Sequence, residues 1–149
     1  MANILFGSPQ EESRGEALNS NYKHFDLIAR LEEEGHEINY VCRENIMLGE
    51  LNALALSKKL KYAKANNYAL ILYDTSLFYN QSSLHLRTSM FNNRISKSLK
   101  ETGLPVIVLA DAQISEQIME RSREAGFKQI NQPYNLDEVL REVNTFISR

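Results

Sequence analysis

Short apolar runs alternate with amphipathic stretches from one end of the chain to the other. The runs read as β-strands are Asn3 to Gly7, Glu37 to Cys42, Ala69 to Tyr73, Val106 to Leu109 and Lys128 to Asn131. Ala69 to Tyr73 (ALILY) and Val106 to Leu109 (VIVL) are almost entirely apolar, as strands covered on both faces of a parallel sheet must be, because neither side meets water. They are expected at the centre. Helical segments lie between the strands and end at Gly35, Gly103 and Gly126, residues suited to a left-handed position just past a helix. A helix is also expected from about Gly49 to Ala65, carrying Leu51, Leu54, Leu56 and Leu60, with Lys58, Lys59, Lys61 and Lys64 towards a solvated end. The clearest helix is the last: Leu136, Val139, Leu140, Val143, Phe146 and Ile147 form one stripe, and Asn135 with Glu138 forms an N-cap pair.

Five βα units in succession, joined by right-handed crossovers, predict an α/β fold: a doubly wound five-stranded parallel sheet of flavodoxin-like order 2-1-3-4-5 with helices on both faces. With no repeat and no linker-like tract, the chain of 149 residues is expected to form a single domain.

Composition narrows the function. There are 17 Lys+Arg against 19 Asp+Glu, a formal net charge of -2 and a pI near 5.9, so no basic surplus exists for a phosphate backbone. Nucleic acid is not an expected partner. The one cysteine, Cys42, cannot close an internal disulfide and reads as a small buried residue. No apolar run approaches the ~20 residues that cross a bilayer. A soluble protein in a reducing compartment, most simply the cytoplasm, is expected.

In doubly wound sheets chemistry gathers at the carboxyl ends of the strands. Those ends carry Ser8, Pro9, Glu11 and Glu12 after the first strand, Asp74-Thr75-Ser76 after the third, Ala110-Asp111 after the fourth, and Gln132-Pro133-Tyr134 after the fifth. Asp74 stands out, since a carboxylate at the tip of a central strand is desolvated unless something there uses or satisfies it. A cap accepting backbone N–H groups is its plainest role. Asp111 reads as the N-cap of the helix beginning near Gln113. His24, His36 and His85 have no spacing suited to a shared metal and read as surface or partly buried side chains.

The segments ALILYDTS, LPVIVLADA and EAGFKQINQPYNLDEVLREV together resemble the second half of the receiver domains of two-component response regulators, over roughly residues 66 to 148. The resemblance implies that Asp74 stands at the phosphoacceptor position. Ala110 stands where the family has Thr or Ser, and Gln132-Pro133-Tyr134 where it has Lys-Pro-Phe, with Gln132-Pro133 expected to be cis. The family's acidic pair after the first strand is replaced by Ser8 and Pro9, while Glu11 and Glu12 follow in a longer connection. Phosphoryl transfer to a carboxylate needs Mg²⁺ on oxygen ligands and charge neutralisation on the phosphoryl group. Gln132 offers a hydrogen bond without charge, and Ala110 offers none. These residues point to a pseudo-receiver, with no catalytic residues, no metal and no cofactor expected.

The output expected of such a domain is binding to another signalling protein. Family resemblance places it on the face of the last two helices and the strand between them, around Ile118 to Arg123, Lys128 to Gln129 and Asp137 to Glu142, with a homodimer also open. Two alternatives stand beside it. One is an active phosphoacceptor receiver using Asp74, with Glu11, Glu12 or Asp111 restoring a metal site. The other is a small flavodoxin-like enzyme or nucleotide-binding protein using the loop after the first strand, although Glu11 and Glu12 there would repel a phosphate.

Overall fold

The computed structural model describes residues 2–8, 24–42, 67–75 and 88–148, with the backbone alone for Ser8 and residues 40–42. Pro9, Glu11, Glu12, His85 and the helix expected over 49–65 lie outside the described residues.

Five strands, β1 (Asn3–Ser8), β2 (Glu37–Cys42), β3 (Leu70–Asp74), β4 (Val106–Ala110) and β5 (Lys128–Asn131), form one sheet in the order β2-β1-β3-β4-β5. Every pairing is parallel. Side chains alternate between the two faces of each strand, and the apolar set divides accordingly. Ile4, Phe6, Leu70, Leu72, Ile107, Leu109 and Ile130 pack against α1 (Phe25–Glu33) and the last helix, Leu136–Ile147. Leu5, Ile71, Tyr73, Val106, Val108 and Ala110 face the opposite side. There they meet Phe91, Ile95 and Leu99, from a π-helical turn (Phe91–Ile95) running into α2 (Ser96–Glu101), and Ile118 from α3 (Ser115–Ala125). The last helix is α4. Both faces being covered explains why β3 and β4 are apolar at every position but the last of β3.

Helix ends follow the residues that mark them. Gly35, Gly103 and Gly126 all take positive φ, and Gly126 at 81° closes α3 while its N–H and that of Phe127 return to Arg123 and Ser122 carbonyls. Asn135 caps α4, its side-chain oxygen accepting from the Glu138 N–H at 3.2 Å. Asp111 differs from its expected role. Its Oδ1 accepts from Gln113 N–H at 2.9 Å, closing a turn ahead of α3, while α3 itself starts at Ser115.

Gly7, the penultimate residue of β1, makes room for a neighbouring side chain. A Cβ there would lie 3.1 Å from Cδ2 of Tyr73 on the neighbouring strand, so the buried Tyr73 ring occupies the space that glycine leaves.

Candidate functional site around Asp74

Asp74 is the last residue of β3, in register with Leu109 on β4, and fully buried. Alternation along β3 aims it to the α1 and α4 side, the side of Leu70 and Leu72. A bare carboxylate there would be prohibitively costly, so it must be met by donors.

Among the described residues, His24 and Gln132 meet it. His24 Nε2 lies 2.7 Å from Asp74 Oδ2, with both side chains at 0% exposure. Gln132 Nε2 donates to Asp74 Oδ1 at 3.1 Å and to the Leu109 carbonyl at 2.8 Å. His24 sits at the N-cap position of α1 and its carbonyl accepts the Ile28 N–H, yet its side chain caps nothing. The ring turns inward instead, packing on Phe6 at a centroid distance of 5.1 Å and placing Nδ1 2.7 Å from the Tyr134 hydroxyl. The rings of His24 and Tyr134 are nearly parallel, 5° apart. Burial, then the charges of Asp74 and Asp26, push the Tyr134 phenol well above its ordinary value, so it stays a neutral hydroxyl. Burial and then Asp74 push Tyr73 up in the same way.

The strand ends also hold a second link. Thr75 Oγ1 accepts from the Asp111 N–H at 2.8 Å, tying the residue after β3 to the residue after β4. Ala110 is buried and supplies no hydroxyl. The Gln132-Pro133 peptide bond is cis, as the resemblance implies. Thus Asp74, Ala110, Asp111, Gln132 and Pro133 share one end of the sheet, and the backbone of Ser8 closes β1 at that end.

His24 is the residue that reasoning from sequence passed over. It is not a surface or partly buried histidine but 1% exposed, and it is the partner of Asp74. One signal was present: His24 directly precedes the apolar spacing of Leu27, Ile28 and Leu31, and helix N-termini in a doubly wound sheet fall at the carboxyl ends of the strands. His36 is also buried, at the end of α1, and its Nε2 lies 3.8 Å from Glu34.

Chemically, the cluster holds a carboxylate with donors on both oxygens. No group of three metal-type ligands occurs among the described residues. An open cleft of about 470 Å³ lies between the π-helical turn and α3 on the other face of the sheet, with Asn92, Gln117 and Arg121 in its walls. It has no part in this cluster.

A five-stranded parallel sheet in this order, with an acid ending the central strand, defines a receiver-type fold. The chain is similar in structure to the receiver domain of a Francisella response regulator, with TM-score 0.59 and 17% identity over 100% of this chain and 98% of that one. It is similar to a response regulator receiver domain protein from Clostridium thermocellum, with TM-score 0.63 and 14% identity over 100% and 96%. A two-component response regulator from Clostridium difficile gives TM-score 0.60 and 16% identity over 100% and 98%. No protein-family model and no curated protein sequence matches the chain. At such identities the likeness is one of fold, and the receiver fold is what the chain has. No helix among the described residues is long and apolar enough to cross a membrane.

Proposed function

We propose that the protein is an atypical receiver acting as a protein-interaction module in signalling, without Mg²⁺-dependent phosphorylation of Asp74. One observation carries this reading: the Asp74 carboxylate has no exposure, and His24 and Gln132 occupy its two oxygens. An aspartyl nucleophile must present an oxygen in line with the incoming phosphorus, beside a cation that neutralises the phosphoryl oxygens. Here the amide of Gln132 stands where a lysine charge would be, and Ala110 offers no hydroxyl to follow a phosphoryl group.

The partner surface proposed is formed by α3, β5 and α4. Met119 is 48% exposed on α3, the one large hydrophobic so exposed among the described residues, and Lys128 of β5 pairs with Glu142 of α4 at 3.8 Å across the same face. An apolar anchor within a rim of mixed charge suits a protein partner. A reducing cytoplasmic setting fits the single Cys42.

The test is incubation with acetyl phosphate, or with beryllofluoride, in the presence of Mg²⁺. Unchanged mass and unchanged amide spectra support the reading. A mass or spectral change that Asp74→Asn abolishes overturns it in favour of an active phosphoacceptor.

A further inference from the structure

His24 has a partner on each ring nitrogen, Asp74 on Nε2 and the Tyr134 hydroxyl on Nδ1, both at 2.7 Å. A neutral imidazole carries one N–H and an imidazolium carries two. Ionised Asp74 only accepts, so Nε2 donates to it. In the neutral ring Nδ1 is then an acceptor, and the Tyr134 O–H points into it. When the ring gains a proton, Nδ1 becomes a donor and the Tyr134 oxygen must accept, which turns the Tyr134 O–H away from the ring. Neither contact between heavy atoms has to break.

We propose that the proton held by His24 sets the hydrogen-bond polarity of Tyr134, the member of the chain that reaches the surface. With the ring neutral, Tyr134 presents lone pairs outward and suits a donor from a partner, such as an ammonium or amide N–H. With the ring protonated it presents an O–H and suits an acceptor, such as a carboxylate. Binding and protonation are therefore reciprocal: an acceptor docking on Tyr134 draws a proton onto His24, and a donor expels one.

Geometry supports the transfer of polarity over 110 residues of sequence between His24 and Tyr134. His24 and Asp74 are sealed, with 0% side-chain exposure, whereas Tyr134 is half-buried. Among the described residues, the groups facing the ring include Asp74 from β3, Tyr134 from the connection between β5 and α4, and Phe6, without charge, from β1. Asp26 in the first turn of α1 acts on the Tyr134 end, where a carboxylate favours the outward O–H. The phenol keeps its own proton throughout, which lets it serve either as donor or as acceptor.

The experiment is NMR on the full chain, with ¹⁵N in the histidine rings and ¹³C at Tyr Cζ, between pH 5 and 9. The expected result is that the His24 Nδ1 resonance passes from the bare to the protonated position and the Tyr134 Cζ resonance moves with the same midpoint. Tyr134→Phe should then lower the His24 midpoint, by a factor of about three or more in proton affinity, because hydrogen bonds to a charged ring are the stronger ones. His36, as an internal control, should not respond to that substitution. The proposal is overturned if Nδ1 keeps one state across the range, if Tyr134 Cζ does not follow it, or if Tyr134→Phe leaves the midpoint in place. Should Tyr134→Phe fail to fold, the concerted movement of Nδ1 and Cζ in the native protein decides alone.

Discussion

Removing a hydrogen-bond donor from a buried carboxylate costs more than the bond itself contributes, because the charge is left desolvated. His24→Ala leaves Asp74 with one donor fewer at a position with no exposure, and exposes the Phe6 contact as a cavity. The expected loss is about 3–5 kcal/mol. That is a large share of the roughly 5–15 kcal/mol typical of a domain. His24→Gln keeps an N–H within reach of Asp74 and should lose less, so urea midpoints in the order native, His24→Gln, His24→Ala check the role. Equal losses would assign the effect to packing alone. Asp74 was legible from sequence because an acid ends an apolar run. Its partner was not, since the pair spans 50 residues and depends on where the N-terminus of α1 lands. Gln132 was legible as a position and not as a bond: nothing in NQPY shows that one amide serves both Asp74 and the Leu109 carbonyl.

Elements were read more reliably than pairs, because periodicity reports burial directly. The expected runs of β1, β3 and β4 each stop one residue short of the observed strands, at Gly7, Tyr73 and Leu109 rather than Ser8, Asp74 and Ala110. Backbone pairing continues past the apolar run, since Asp74 still sits opposite Leu109 and Ala110 opposite Asn131. Asp111 was misplaced by the same kind of local reading, which cannot distinguish a turn closed by Asp from the cap of the helix that follows. Two substitutions test the elements. Asn135→Ala removes the side-chain acceptor at the head of α4 and should cost about 1 kcal/mol. Gly7→Ala sets a Cβ 3.1 Å from the Tyr73 ring, against a β-sheet backbone and a packed core with little freedom to give, and should cost about 1–3 kcal/mol. Tyr73→Leu in the same chain should recover part of the Gly7→Ala loss, and thermal unfolding of the single and double variants gives the coupling. Strictly additive losses would show that the ring is not the obstacle.

For the whole molecule, the buried tyrosines set an upper limit of pH. Tyr73 and Tyr134 are raised chiefly by burial and secondarily by Asp74, and Tyr68, more exposed, is raised by burial and then Glu37. The unfolded chain releases these protons near 10, the ordinary tyrosine value, while the folded chain retains them. Above that pH the native state binds more protons than the unfolded one, so stability must fall as pH rises. Below it, the contribution of the raised phenols is complete and flat. Each fully shielded tyrosine can steepen the decline by up to about 1.4 kcal/mol per pH unit. Urea midpoints measured from pH 8 to 11 should therefore hold level and then drop from about pH 10. Tyr134→Phe removes one titrating group together with one hydrogen bond of roughly 0.5–1.5 kcal/mol, so the variant starts lower and declines less steeply. The two curves should converge at high pH, where the native phenol has become a liability beside the Asp74 carboxylate. Parallel curves would mean that Tyr134 titrates alike in both states, and that the Asp74 end of the sheet admits far more water than its closed hydrogen bonds imply.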